Sequence, residues 1–139
     1  MDGFLCGERR SLVEELADYL GLLSVGYVPR DNQVYESGLR VLLKNIEADK
    51  KEEWMEVVND FEALPERFER QKAWWEKETS WPRVYIGGSP ITKSKHLSVI
   101  ASSLGEGKER FLLLAIGPKR MDYKKSLKLM KSLAKRIAS

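Results

Sequence analysis

Near the C-terminal end the chain reads HLSVIASSL (96–104), GEGK (105–108), ERFLLLAIG (109–117) and then Pro118. Two short apolar runs separated by four turn residues predict two strands joined by a tight reversal. Gly117 and Pro118 end the second strand abruptly, since proline brings no N–H and fixes its own φ. PRVYIGG (82–88) predicts an earlier strand, with Val84 and Ile86 on one face. These three meandering strands constrain the fold more than any other feature.

What surrounds them is mostly helical. ERRSLVEELADYLG places Leu12, Val13, Leu16 and Leu20 at helical spacing, with Gly21 as a stop. LLSVGYVP predicts a buried strand ending at Pro29, RDNQ a turn, VYESG a second strand and LRVLLKNI a short helix. Asp49 is placed to cap KKEEWMEVVNDFEAL, whose apolar line is Trp54, Val57, Val58 and Phe61. Pro65 suits the first turn of a further helix, PERFERQKAWWEKE, with Leu64, Phe68 and Trp75 in line. The order predicts an α+β domain with a mainly antiparallel sheet and helices packed on it, spanning 1–139 as one unit.

The closing segment, DYKKSLKLMKSLAKRIA, predicts a helix with Asp122 as its N-cap. With Tyr123 as the origin and 100° per residue, Leu127, Met130, Ala134 and Ile137 form one apolar stripe. Lys124, Lys128, Lys131 and Lys135 form one basic flank, a possible contact surface for polyanions. Lys119 and Arg120 precede the helix, where free amides favour anions, but Asp122 competes for that same end. A capped turn before a solvated helix is therefore the expectation at this corner.

The net charge is +3, with the basic excess in residues 119–139 and the acidic excess in the middle helices. Residue types argue against metal or nucleophilic chemistry. There is one histidine, His96, and one cysteine, Cys6, without ligand or catalytic spacing. His96 is expected at the surface, at a strand start. GEGKER is a hairpin turn rather than a phosphate cradle, because no helix follows it. Glu14-Glu15 and Glu52-Glu53 read as solvated helix surface. The expectation is a non-enzyme with no cofactor and no metal. No apolar run approaches the roughly 20 residues of a membrane span, and no leader is recognisable, so a cytoplasmic protein is expected. Trp54, Trp74, Trp75 and Trp81 lie close together in sequence. They are expected in the core or at a contact between copies, with Trp74 the more exposed ring, in preference to a stacking platform for bases or a ligand at Trp74, Trp75 and Trp81.

IGPKRMDY followed by an amphipathic helix resembles the end of the bacterial heat-inducible transcription repressors of the HrcA family, which carry Gly-Pro-x-Arg-Met-Asp-Tyr there. Gly117, Pro118, Arg120, Met121, Asp122 and Tyr123 match. LVEELADYLGLLSV, VYESGLRVLLKNIEADKKEEWMEVVNDFE, VYIGGSPI and LSVIASSLG resemble further family segments in order. Gly88-Ser89 replace the acidic Glu-Glu-Asn of the family. The winged helix and the central dimerising insertion of longer members have no counterpart in these residues. The resemblance implies a GAF-like regulatory and dimerisation domain, a homodimer, a chaperonin partner, and operator DNA bound only through a winged helix. A small-molecule sensor and a weak nonspecific nucleic-acid binder using the lysine flank are the alternative readings.

Overall fold

The computed structural model describes residues 6–45 and 51–138. The elements run α1 (Cys6–Leu20), β1 (Leu23–Val28), β2 (Gln33–Ser37), α2 (Leu39–Asn45), α3 (Lys51–Asp60), α4 (Leu64–Arg70) and α5 (Lys72–Lys77). There follow β3 (Arg83–Ile86), β4 (Leu97–Leu104), a 3-10 turn at Gly107–Glu109, β5 (Phe111–Pro118) and α6 (Tyr123–Ala138). All five strands form one sheet in the order β2-β1-β5-β4-β3, and every neighbouring pair is antiparallel. The architecture is α+β.

Period-two alternation along the central strands divides the core into two layers. Leu112, Leu114 and Ile116 of β5 join Leu23, Val25 and Tyr27 of β1 and Leu97 and Val99 of β4 on one face. That face is covered by α2–α5 through Leu42, Val57, Leu64, Phe68 and Trp75. Phe111, Leu113 and Ala115 point the other way, against Leu12, Val13 and Leu16 of α1 and Met130 and Leu133 of α6. Helices on both faces explain why β1, β4 and β5 are buried nearly throughout, while the edge strands β2 and β3 are half-exposed.

Gly26 of β1 is required by this packing. A Cβ there would lie on the Phe111 ring and 2.8 Å from Val13 Cγ2. Gly21 ends α1 with φ +65, its N–H donating to Ala17 O at 2.9 Å, which is the left-handed stop that glycine adopts without strain.

Several expectations need correction. The helix expected over PERFERQKAWWEKE is two helices, broken at Gln71, whose ψ of 24 leaves the α region. His96 is half-buried, with Nε2 3.6 Å from Glu53 Oε2, so neither it nor Glu53 is a purely solvated surface group. The buried side of α6 centres on Ser126, Met130 and Leu133, with Tyr123 and Leu127 at its half-buried margin. The inward side of α6 is therefore rotated from the apolar stripe toward Ser126. Asp49 and the side chains of Cys6, Ala134 and Ile137 lie outside the described residues.

Candidate functional site at the closing corner

The corner between β5 and α6 is built from its glycine outward. Gly117 is fully enclosed: a Cβ would lie 2.6 Å from Leu22 Cδ2 and 2.9 Å from Met121 Sδ. Met121 is buried, and its N–H donates to Pro118 O at 3.0 Å, closing the turn that the proline starts. Asp122 Oδ1 accepts from the Lys125 N–H at 3.0 Å, an N-cap bond to the third residue of the helix. The Ser126 N–H and hydroxyl both donate to Asp122 O, at 3.1 and 2.9 Å.

Tyr123 ties this corner to the loop after β3. Its hydroxyl donates to Lys119 O at 2.6 Å and lies 2.9 Å from the Ser98 hydroxyl at the start of β4. Ser98 is buried, and its Oγ also accepts from the Gly87 N–H at 3.4 Å. Gly87 has φ +75, and a Cβ on it would meet Lys119 Cε at 3.3 Å. The Gly87 and Gly88 amides both donate to Leu97 O at 3.0 Å. The site is thus a rigid corner with exposed Lys119 and Arg120 on its rim, and its loop amides are spent internally.

A second constellation was not anticipated. Asp60, at the end of α3, is 1% exposed. Its Oδ1 accepts from the Lys93 N–H at 2.8 Å and from Arg67 Nη1 at 3.2 Å, and its Oδ2 from the Ser94 N–H at 2.9 Å. Arg67 also donates to Ile91 O at 3.2 Å and Asn59 O at 3.0 Å. One carboxylate and one guanidinium therefore fasten α3 and α4 to the 87–96 loop. A recess of about 700 Å³ beside them is lined by Lys51, Met55, Glu56, Asn59, Arg67 and Lys93 among others.

The tryptophans divide by role. Trp75 is 6% exposed, donates to Phe68 O at 3.0 Å and carries the Arg110 guanidinium 5.3 Å from its ring centre. Arg110 donates to the Trp75 carbonyl, and burial lowers its pKa, with Glu76 opposing. Trp75 is thus committed to its own core, one of the two places expected for it. Trp74 is half-buried rather than a free ring. It donates to Tyr85 Oη at 2.6 Å and meets Trp81 and Tyr85 edge-on, each at 5.9 Å. Trp54 and Trp81 are also half-buried. Lys124, Lys128, Lys131 and Lys135 are all exposed along α6.

Among the described residues, no cluster of histidine, cysteine, aspartate or glutamate is arranged to hold a metal, and no helix is long and apolar enough to cross a membrane. Fold and corner together define an α+β domain in which helices cover both faces of one antiparallel sheet and a capped helix follows its last strand. The chain belongs to the HrcA C-terminal domain family: the family model, described as "HrcA protein C terminal domain", matches residues 7–127. No curated protein sequence matches at a significant level. A solved structure titled "Crystal structure of a hypothetical protein at 2.2 A resolution" is similar, with a TM-score of 0.50 and 18% identity. The match covers 75% of this chain and 30% of that one. Myxococcus xanthus MglB is similar at a TM-score of 0.50 and 12% identity, over 96% of this chain and 97% of that one. At these identities the two structures support the fold alone.

Proposed function

We propose that this chain is the regulatory, self-associating domain of a heat-shock transcription repressor, GAF-like in architecture, cytoplasmic and without enzymatic activity. The observation that carries the reading is the family match over residues 7–127, which includes the Gly117–Tyr123 corner. The corner supports a signalling rather than a catalytic role. It joins β5, α6, the start of β4 and the 87–96 loop through Tyr123, Ser98 and Lys119, so a partner on that loop would be felt at the helix start. By the family resemblance that partner is a chaperonin, and operator DNA is held by a winged helix rather than by these residues.

The test is a domain exchange. The chain replaces the C-terminal domain of a family repressor, and a chaperone-operon reporter is read before and after heat shock. Repression at the basal temperature that is relieved by heat supports the reading. Constitutive expression from a soluble, folded chimera overturns it.

A further inference from the structure

The face of the molecule formed by α1 and α6 carries two ridges of opposite charge. On α1 the buried Leu12, Val13, Leu16 and Ala17 define the inward direction. Stepping 100° per residue puts Ser11, Glu14, Glu15 and Asp18 roughly 130° to 170° away from it. On α6, measured from Ser126, Met130 and Leu133, the four lysines 124, 128, 131 and 135 fall roughly 130° to 175° away. Each ridge is therefore the solvent pole of its helix. One pole is acidic and the other basic.

Glu14, Asp18 and the four lysines are exposed and make no ion pair with any described residue. The α1 ridge also borders a shallow recess of about 530 Å³ lined by Ser11, Glu14, Glu15, Asp18 and Tyr19. Tyr19, 59% exposed, sits at the seam, where Lys125 Nζ lies 4.9 Å from its ring centre. Tyr19 is in the last turn of α1 and Lys125 in the first turn of α6. α1 runs back over β1 and β2, and α6 runs back from the end of β5 over its neighbour β4, while β1 and β5 are antiparallel. The ridges thus run side by side in opposite directions.

We infer that this face is where a second copy of the chain docks, with the acidic ridge of each α1 against the lysine ridge of the other copy's α6. Symmetry makes the pairing specific. A two-fold axis parallel to the helices, along the seam, sets each α1 on the opposite α6 and brings the two Tyr19 rings near the axis. An axis running across the helices would stack acid on acid and lysine on lysine. Like-charge contact is repulsive, so only the first arrangement is favourable. Helices of 15 and 16 residues give ridges of roughly 23 Å. Two such ridges make a small interface, and exposed ion pairs are individually weak, so the association is weak and salt-labile.

This inference rests on the self-association part of the proposed function, and sedimentation equilibrium with charge-swapped variants tests it. One variant is Lys128→Glu with Lys131→Glu, and the other is Glu14→Lys with Asp18→Lys. All four positions are exposed, and circular dichroism checks that each variant folds. At low salt the parent is expected to dimerise, weakening at least about tenfold at 0.5 M salt. Each variant alone is expected to be monomeric, because both of its contacts become repulsive. An equimolar mixture restores both contacts and is expected to form the heterodimer.

A parent that dimerises while both variants also dimerise overturns the assignment and moves the contact elsewhere, for example to the β3 edge, where Ile86 is 65% exposed. A mixture that stays monomeric overturns it as well. If the lysine variant loses duplex-DNA retention but keeps its dimer, the ridge serves nucleic acid instead. A parent that is monomeric at low salt sinks both this surface and self-association, while the reporter exchange still judges the regulatory role.

Discussion

Asp60 and Arg67 meet at 3.2 Å where α3 ends, and the carboxylate also holds the Lys93 and Ser94 amides. The pair spans helices and loop, so its loss is felt by both. A buried ion pair adds little net stability over an apolar pair, but removing one partner strands the other. Asp60→Ala leaves the Lys93 and Ser94 amides without their acceptor and the Arg67 guanidinium without its counter-charge, with only Ile91 O and Asn59 O to accept from it. The expected cost is about 3 kcal/mol in denaturant melts. Asp60→Asn keeps an acceptor oxygen and is expected to cost less. Equal melting of the parent and the alanine variant would remove Asp60 as the fastening group.

The two enclosed glycines predict unequal costs. At Gly26 a new methyl meets the Phe111 ring, which is fully buried between α1 and the sheet. At Gly117 it meets the ends of Leu22 and Met121, which have rotamer freedom. Overpacking a close-packed site costs about 1–3 kcal/mol. Gly26→Ala is expected at or above the top of that range and Gly117→Ala near the bottom. Leu22→Ala combined with Gly117→Ala should show favourable coupling in a double-mutant cycle. Additive costs would mean that Leu22 yields without strain.

The inner strands were legible because each is a short, mostly apolar run closed by Gly, Pro or Asp-Asn chemistry, and β5 with its Gly117-Pro118 stop is the clearest case. The closing helix was legible in its start, because Asp122 sits where free amides need an acceptor. Its inward face was drawn off-centre because Ser126, a polar residue, is buried by bonding back to Asp122 O. The break at Gln71 carries no Gly or Pro and so gave no local signal. Asp60 was invisible for a different reason: its amide partners lie 33 and 34 residues away, and a lone acid at a helix end reads as solvated. Likewise the pairing of His96 with Glu53 depends on tertiary packing alone.

Asp122→Ala isolates the cap. The residue is exposed, so no core packing is lost, and the change removes one acceptor from the Lys125 amide. The expected destabilisation is about 1 kcal/mol, with Asp122→Asn or Asp122→Ser close to the parent. Coincident melts of the alanine variant and the parent would show that the Ser126 bonds to the Asp122 carbonyl suffice to start α6.

Tyr27 provides a pH-dependent test. Its ring is 2% exposed and stacks on Phe68 at 4.3 Å, and its hydroxyl donates to Asn32 Oδ1 at 2.7 Å. Burial raises the pKa of the phenol, and the Glu69 carboxylate raises it further, since both disfavour the phenolate. The folded state therefore holds this proton more tightly than the unfolded state. Its contribution is fully present below the ordinary phenol value of about 10 and is lost as the pH rises through the higher folded value. Stability should fall with pH from about 10 up to that higher folded value, and the slope should be shallower in Tyr27→Phe, which has no proton to lose. The readout is the difference between parent and variant in denaturant melts at matched pH. A difference that stays constant from neutral to strongly alkaline pH would show that Tyr27 ionises as easily in the fold as in the unfolded chain.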